Sequence, residues 1–293
     1  MITLIEDNIE LYYPEKKYYL KSLEYAKSLK TKTSEKLVFH CFWKVPREFG
    51  RKQKAVLVSI IVNHFNRDFE LNLWSNVDLS NNILLKDIKQ YIKFHIWDIQ
   101  KEKKDTILES CEYMDSEVVH DDYCYLEGDI FRLLILNKYG GFYIDMDVLV
   151  LRDMSPLNHL EFLYQWGTSI VKDNNTAMNG AIMRFNKNSL ISQEYLELIK
   201  VNKPEKNNTS WGTLLYSQLK NNTILVLPCI WFDSEWGFED TKLDPFNKGR
   251  VQFFDGAFTW HWHNRWDDEI QEGSKFNVIE EVHNSMLEHA LSK

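Results

Sequence analysis

Two acids separated by one residue, Asp145 and Asp147, stand between the apolar runs Phe142-Tyr143-Ile144 and Val148-Leu149-Val150-Leu151. Read as one strand, this stretch puts both carboxylates on the same face, with Cα atoms ~6.6 Å apart. Carboxylates that close repel each other unless a cation lies between them. Mg²⁺ or Mn²⁺ meets that need, taking one or two carboxylates together with the phosphate oxygens of a substrate. The plain alternative is a solvated turn that carries two acids. Upstream, Asp129 and Arg132 are three residues apart in a helical pattern. They share a helix face and can address one ligand, or they form a local ion pair with Asp129 as the helix N-cap. Farther on, His261 and His263 make an H-x-H pair. On a strand their imidazoles share a face and can bind metal. In an aromatic loop they are two hydrogen-bonded histidines.

The elements that must position these groups follow from periodicity. Residues 14–30 read as an amphipathic helix, with Pro14 in its first turn. Residues 37–43 read as a buried strand, 54–65 as a helix with strand as the alternative, and 69–76 and 91–99 as strands. A charged helix is expected to follow to about residue 110. Residues 128–141 predict a helix capped by Asp129 and stopped by Gly140-Gly141, and 142–151 a single strand. Residues 160–171 and 177–185 read as strands or loops, 189–201 and 210–221 as helices, and 223–228 as a strand. A last amphipathic helix, 277–291, carries Val278, Val282 and Met286 on one face. Strands alternate with helices, so the class is α/β with a mostly parallel sheet. Such sheets bind ligands at strand ends.

The chain has 293 residues, 44% of them apolar and 27% charged, which excludes a disordered or collagen-like polymer. A net charge of −8 argues against nucleic acid or an anionic membrane as a partner. Cys41, Cys111, Cys124 and Cys229 lack metal spacing and read as free thiols in a reducing compartment. The opening MITLIEDNIELYY does not read as a signal peptide, and no apolar run is long enough to span a bilayer. Trp166, Trp231, Trp236, Trp260 and Trp262 suit either core packing or an acceptor-sugar platform. The final helix packs on the body of the fold or touches a membrane or partner peripherally.

The stretch GDIFRLLILNKYGGFYIDMDVLVL resembles the signature of DXD-containing sugar-nucleotide glycosyltransferases. It is similar to glycosyltransferase family thirty-two, the capsular-polysaccharide and mannosyltransferase-like group, to the α-1,4-galactosyltransferases, and to the catalytic domain of glucosylating toxins. Shorter matches keep the family's order. FHCFW (39–43) resembles the first-strand I-H-x-x-W motif and NGAIM (179–183) the Asn-containing strand. SWGTLL (210–215) resembles the T-G-P-x-x-L element, with Thr213 where Pro is usual. LPCIWF (227–232) resembles the L-P-x-x-x-F segment, and HWHN (261–264) the C-terminal His motif.

The resemblance implies a GT-A (Rossmann-like) fold, a mixed and mostly parallel sheet flanked by helices, over residues 37–293, with 1–36 as an N-terminal helical extension. It implies a retaining hexosyltransferase using Mn²⁺ or Mg²⁺ and a nucleotide-diphosphate sugar, UDP-linked rather than GDP-mannose. The acceptor is a glycan or protein hydroxyl, and the setting is cytoplasmic, bacterial or viral. Asp145 and Asp147 hold the metal, His261 completes its shell with His263 as the alternative, and Asp129 and Arg132 join the catalytic set. Trp43 stacks on the base, while Tyr143, Asn179 and Trp266 contact the donor. Two other functions stay open: a nucleotide-sugar- or carbohydrate-binding module without turnover, and a metal-dependent hydrolase using Asp145, Asp147, His261 and His263.

Overall fold

The structure, a computed structural model, describes residues 16–120, 124–171, 175–219, 223–233 and 256–292. Helix α1 (Lys16–Ser28) precedes β1 (Leu37–Trp43), α2 (Arg51–His64), β2 (Phe69–Ser75), β3 (Ile92–Ile96), the short α3 (Ile99–Glu102) and α4 (Tyr125–Tyr139). Then come β4 (Gly141–Ile144), β5 (Val148–Val150), β6 (Phe162–Val171), β7 (Asn175–Phe185), α5 (Leu190–Val201), α6 (Trp211–Tyr216), β8 (Leu225–Leu227), β9 (Thr259–His261) and α7 (Lys275–Leu291).

The main sheet has the order β3-β2-β1-β4-β7-β6-β8. β1 pairs in parallel with β2 and β4, β2 with β3, and β6 with β8. β7 runs antiparallel to β4 and β6. The sheet is therefore mixed and mostly parallel, the α/β arrangement expected of a GT-A fold. Strand β1 shows why its residues read as a continuous apolar run. Phe39, Cys41 and Trp43 face a core built with α2, while Phe42 faces a second core built with α4, α5 and α6. Strands covered on both faces lose the polar alternation of a half-exposed sheet. His40 is the polar exception. Its Nδ1 accepts from the Trp74 indole at 3.2 Å and its Nε2 lies 3.0 Å from the Gly140 carbonyl, so both ring nitrogens are satisfied in the core.

Four expectations need correction. Residues 142–151 are two strands, not one. The Asp145 amide extends the β4–β7 ladder to the Ala181 carbonyl (2.8 Å), then the Val148 amide closes a turn on the Asp145 carbonyl (3.1 Å). β5 leaves the main sheet and pairs antiparallel with β9. The break falls on the two acids, because a sheet packed on both faces has no room for two desolvated carboxylates. Helix α4 starts at Tyr125, with Cys124 as N-cap, so Asp129 lies in the second turn and is not a cap. The charged helix after β3 stops at Glu102, and Asp105 already has φ +62°. That segment has no apolar stripe to bury, and one short turn of helix is marginal without packing. In α7 the buried side chains are Phe276, Ile279, His283 and Leu287, whereas Val282 and Met286 face outward. The helix presents the neighbouring stripe to α2, where Arg51 grips Glu280.

Residues 1–15, which include Pro14, and Trp236 lie outside the described residues. Within α1, Leu23 and Ala26 are buried, and Ser22 takes the Trp231 indole N–H at 2.7 Å. The four cysteines are free thiols. Among the described residues, no helix is long and apolar enough to cross a membrane.

Candidate active site

The turn between β4 and β5 opens into a cavity of about 410 Å³. Asp129, Arg132, Tyr143, Asp145, Asp147, Asn179, His261, His263, Trp43 and Trp266 all line it. The proposed metal-binding, catalytic and donor-binding residues thus border one space, although their chain positions span more than two hundred residues.

The α4 side of the cavity is an ionic cluster. Arg132 reaches the Asp145 Oδ1 at 3.3 Å and the Asp129 Oδ1 at 3.6 Å, and its guanidinium lies 4.7 Å from the Tyr143 ring centroid. The Tyr143 hydroxyl donates to Asp145, and the Tyr216 hydroxyl donates to the Asp129 Oδ1 at 2.6 Å. Asp145 keeps 24% of its side chain exposed, on the cavity side. Burial pushes its carboxyl up to about 6, with Arg132 pulling down and Asp147 pushing further up. Burial also works against the Arg132 charge, but the surrounding acids and phenols hold the guanidinium firmly protonated.

Two glycines make room for this cluster. A Cβ on Gly212 would lie 2.1 to 2.5 Å from the atoms of the Asp129 carboxylate. One on Gly180 would meet the Tyr216 ring at 2.6 Å and Arg132 Nη1 at 2.8 Å. Neither gap admits a methyl group.

The other side of the cavity is delivered by the β5–β9 pair. Val148 is registered opposite His261, and the Trp262 amide donates to the Asp147 carbonyl at 3.0 Å. The register carries the histidine motif to the acid turn. His261 Nε2 lies 3.1 Å from Asp147 Oδ2, which also accepts the Asn264 amide at 2.7 Å. His261 Nδ1 faces the Tyr164 hydroxyl at 3.2 Å. Burial pulls this imidazole down, but Asp147, with Asp233 and Asp145 behind it, carries it up to about 9. Burial acts in the opposite sense on Asp147, yet His261 and the Asn264 amide hold its carboxyl below the usual range. His263 stacks on His261 at 4.0 Å between ring centroids, although β9 ends at His261. A turn with φ +52° at His263 and +55° at Asn264, not a strand, brings the two rings together.

These donors suit a divalent ion. Neighbouring ligands of an octahedral ion at 2.0–2.1 Å lie about 3 Å apart, close to the Asp147–His261 separation of 3.1 Å. Carboxylate oxygens with one imidazole nitrogen form a mixed set acceptable to Mn²⁺. Asp233, His261 and His263 also cluster closely enough to share an ion. Asp233 is 1% exposed, and its Oδ2 is 2.8 Å from His263 Nε2 and 3.9 Å from His261 Nδ1.

Asp233, Tyr216, Gly180, Gly212 and Asn264 are site residues that sequence reasoning missed. Asp233 directly follows the LPCIWF segment and Asn264 ends HWHN, so both were within reach of the motifs. Of the five indoles considered for an acceptor platform, Trp166 lines the cavity. Trp231, Trp260 and Trp262 are buried in the core. Trp43 is itself only 4% exposed; its Nε1 donates to the Arg47 carbonyl at 3.0 Å and Trp266 packs edge-on at 4.9 Å.

Residues 62–164 match the family model described as the glycosyltransferase sugar-binding region containing DXD motif. That span is about a third of the chain, and the fold around it is of the GT-A type. The matched span holds α4, the acid turn, and Asp129, Arg132, Tyr143, Asp145 and Asp147. Solved structures of similar fold include the bifunctional glycosyltransferase WbbM (TM-score 0.56, 12% identity), covering 90% of this chain and 52% of that one. The glycosyltransferase GlyE of Streptococcus pneumoniae aligns with a TM-score of 0.52 at 11% identity, over 88% of this chain and 63% of its own. An active-site mutant of LgtC aligns with a TM-score of 0.50 at 10% identity, over 86% and 96%. The chain therefore spans less than two thirds of the length of WbbM and GlyE. No curated protein matches the chain by sequence. The acids of the Asp145–Asp147 turn are supported from outside the matched span, by β7, α6 and the β9 turn.

Proposed function

We propose that the protein is a metal-dependent, retaining glycosyltransferase. It moves a hexose from a UDP-sugar, in preference to GDP-mannose, to a hydroxyl of a glycan. The observation that supports this reading is the convergence of an acid turn, an imidazole, a buried arginine and two indoles on one cavity. Asp145, Asp147 and His261 would hold the ion, with Mn²⁺ favoured over Mg²⁺ by the imidazole. Such an ion, when bound, neutralises the diphosphate as negative charge builds on the leaving group.

The remaining roles fall to the chain's own side chains. Arg132 presents positive charge beside the acid turn, where a diphosphate needs it. Asp129, its plane fixed by the Tyr216 hydroxyl, accepts hydrogen bonds from donor-sugar hydroxyls. Tyr143 holds Asp145 from below, and Asn179 is oriented by accepting the Ala181 amide at 2.7 Å. Trp266, with the small exposed part of Trp43 beside it, would offer apolar surface to the base. Retention of configuration and the preference for uridine rest on the resemblance of the DXD and FHCFW stretches. Four free thiols suit a reducing, cytoplasmic setting.

Thermal unfolding with UDP-glucose, UDP-galactose, UDP-N-acetylglucosamine and GDP-mannose, each with and without Mn²⁺, tests the donor. A UDP-sugar at a hundred times its Kd should add about 2.7 kcal/mol of stability, and only with the metal. Asp145→Ala or Asp147→Ala should abolish transfer and donor hydrolysis, and wild-type-like activity in either would reject the metal role. Trp43→Ala should mainly raise the donor KM. An inverted product anomer by NMR would reject retention. Donor binding without turnover would make the chain a binding module, and hydrolysis without a sugar nucleotide would make it a hydrolase.

A further inference from the structure

Lys52 stands at the second position of α2, a place where a cation opposes the helix dipole. Arg51 precedes it, and the first turn of the helix contains no acid. Local preference therefore argues against both residues, and the reason for them lies in tertiary contacts. Arg51 forms a two-pronged ion pair with Glu280 of α7 (2.9 and 2.5 Å). The Lys52 ammonium, only 7% exposed, donates to the carbonyls of Arg265 (2.5 Å), Trp266 (2.9 Å) and Asp268 (2.6 Å). An ammonium has three N–H donors, and one short stretch of chain takes all three. The group also lies 5.4 Å from the Trp262 ring centroid. Burial draws it down to about 8, with Asp268 and Asp267 pulling up, so it is still mostly charged at neutral pH.

The stretch it holds bears on the cavity. His263 and Asn264 have φ +52° and +55°, the left-handed region that side-chain-bearing residues avoid. Such a turn persists only where surrounding contacts over-determine it. From this turn the Asn264 amide reaches Asp147, and Trp266 packs against both Trp43 (4.9 Å) and Trp262 (4.7 Å). Arg47 lies over the Trp43 and Trp266 rings, at 5.8 and 5.3 Å.

We propose that Lys52 is a positioning residue that pins the 262–268 turn, and with it the Asn264 amide and the Trp266 indole, against the donor cavity. Lys52 touches neither substrate nor metal in this scheme. It joins the helix after β1 to the turn after β9, so the two indoles and Asp147 keep their spacing. The consequence for catalysis rests on the donor-site reading above, whereas the clamp itself does not.

The test compares the full-length wild type with Lys52→Met, which keeps the apolar stem and removes the three donors. Hydrogen–deuterium exchange followed by mass spectrometry should show amides of 262–268 exchanging at least tenfold faster in the variant, with β1 and β2 unchanged. Donor KM should rise at least fivefold at saturating Mn²⁺, with kcat within twofold. Arg51→Gln, which loosens α7 instead, should lower stability but leave donor KM within twofold. Lys52→Arg, whose flat fork cannot converge on three carbonyls, serves if Lys52→Met does not fold, with about a threefold rise in KM expected. Unchanged exchange in 262–268 overturns the clamp, whatever the protein's activity. Faster exchange with unchanged KM overturns the positioning role. If the wild type turns over no sugar nucleotide, the donor reading fails while the exchange comparison still decides the clamp.

Discussion

Removing the Arg132 charge by Arg132→Met tests whether the acid cluster is built around a cation. The guanidinium stands 3.3 Å from Asp145 and 3.6 Å from Asp129. At an effective dielectric constant near 20, each attraction is about 5 kcal/mol before desolvation is counted. Methionine matches much of the stem volume but leaves Asp129 and Asp145 without their shared cation. Breaking one partner out of a buried pair costs roughly 3–5 kcal/mol. Proton uptake limits the loss, because burial already pushes the Asp145 carboxyl up to about 6 and deleting Arg132 removes the pull against it. The lower end, about 3 kcal/mol, is therefore expected at neutral pH. At roughly 2 °C per kcal/mol for a chain of this size, the metal-free melting midpoint should fall by about 6 °C. Two further measurements follow. Saturating Mn²⁺ should stabilise Arg132→Met more than wild type, since the ion then supplies the missing positive charge. Adding Asp145→Asn should recover part of the loss, because it removes one uncompensated acid. Paired denaturation curves with EDTA and with Mn²⁺ read all three effects. A midpoint within 2 °C of wild type, or no recovery in the double variant, would refute the view that charge balance organises this site.

Gly212→Ala drives a methyl group into the Asp129 carboxylate, which is anchored by Tyr216. About 1–3 kcal/mol of overpacking and a raised donor KM are expected, checked by urea unfolding and donor kinetics; an unchanged KM would uncouple Asp129 from the donor. His40 supplies a pH test of the sheet. Burial draws its imidazole from 6.5 to about 4, with the Gly140 carbonyl pulling up. The unfolded chain takes up the proton first as pH falls below 6.5, so the neutral ring's stabilisation is full above that value. It declines between 6.5 and 4 by up to about 3 kcal/mol and then levels off. Urea midpoints across that window should fall more steeply for wild type than for His40→Phe, and parallel curves would contradict the neutral-ring assignment. Metal removal gives a further check: EDTA should abolish donor-dependent stabilisation, with Mn²⁺ restoring it, and stabilisation that survives chelation would argue against metal-bridged binding.

The residues of α4 and the acid turn were legible because their chemistry is encoded locally. A helix stop at Gly140-Gly141, an Asp–Arg pair one turn apart and two acids between apolar runs all lie within about twenty residues, in register with a known signature. The start of α4 was not legible, because its N-cap, Cys124, makes no side-chain cap hydrogen bond and is not a residue type favoured there, and the helix is held by its buried face. The break of 142–151 was hidden for a related reason. Both halves are apolar, and only the change of partner, from β7 to β9, separates them. In α7, periodicity found the helix but chose the wrong stripe; packing on α2 and the Arg51–Glu280 pair select the face.

By itself, then, the order of residues determined the class of fold, the acid pair and ten of the side chains that border the cavity. Those depend on residue type, short spacing and hydrophobic period, which act along the chain. Tertiary structure alone decided that Asp147 pairs with His261, that Asp233 lies behind both histidines, that Tyr216 holds Asp129 and that Lys52 grips the turn beyond β9. Each of these contacts joins positions dozens to more than two hundred residues apart. Their geometry is set by strand register and helix packing, which no local pattern specifies.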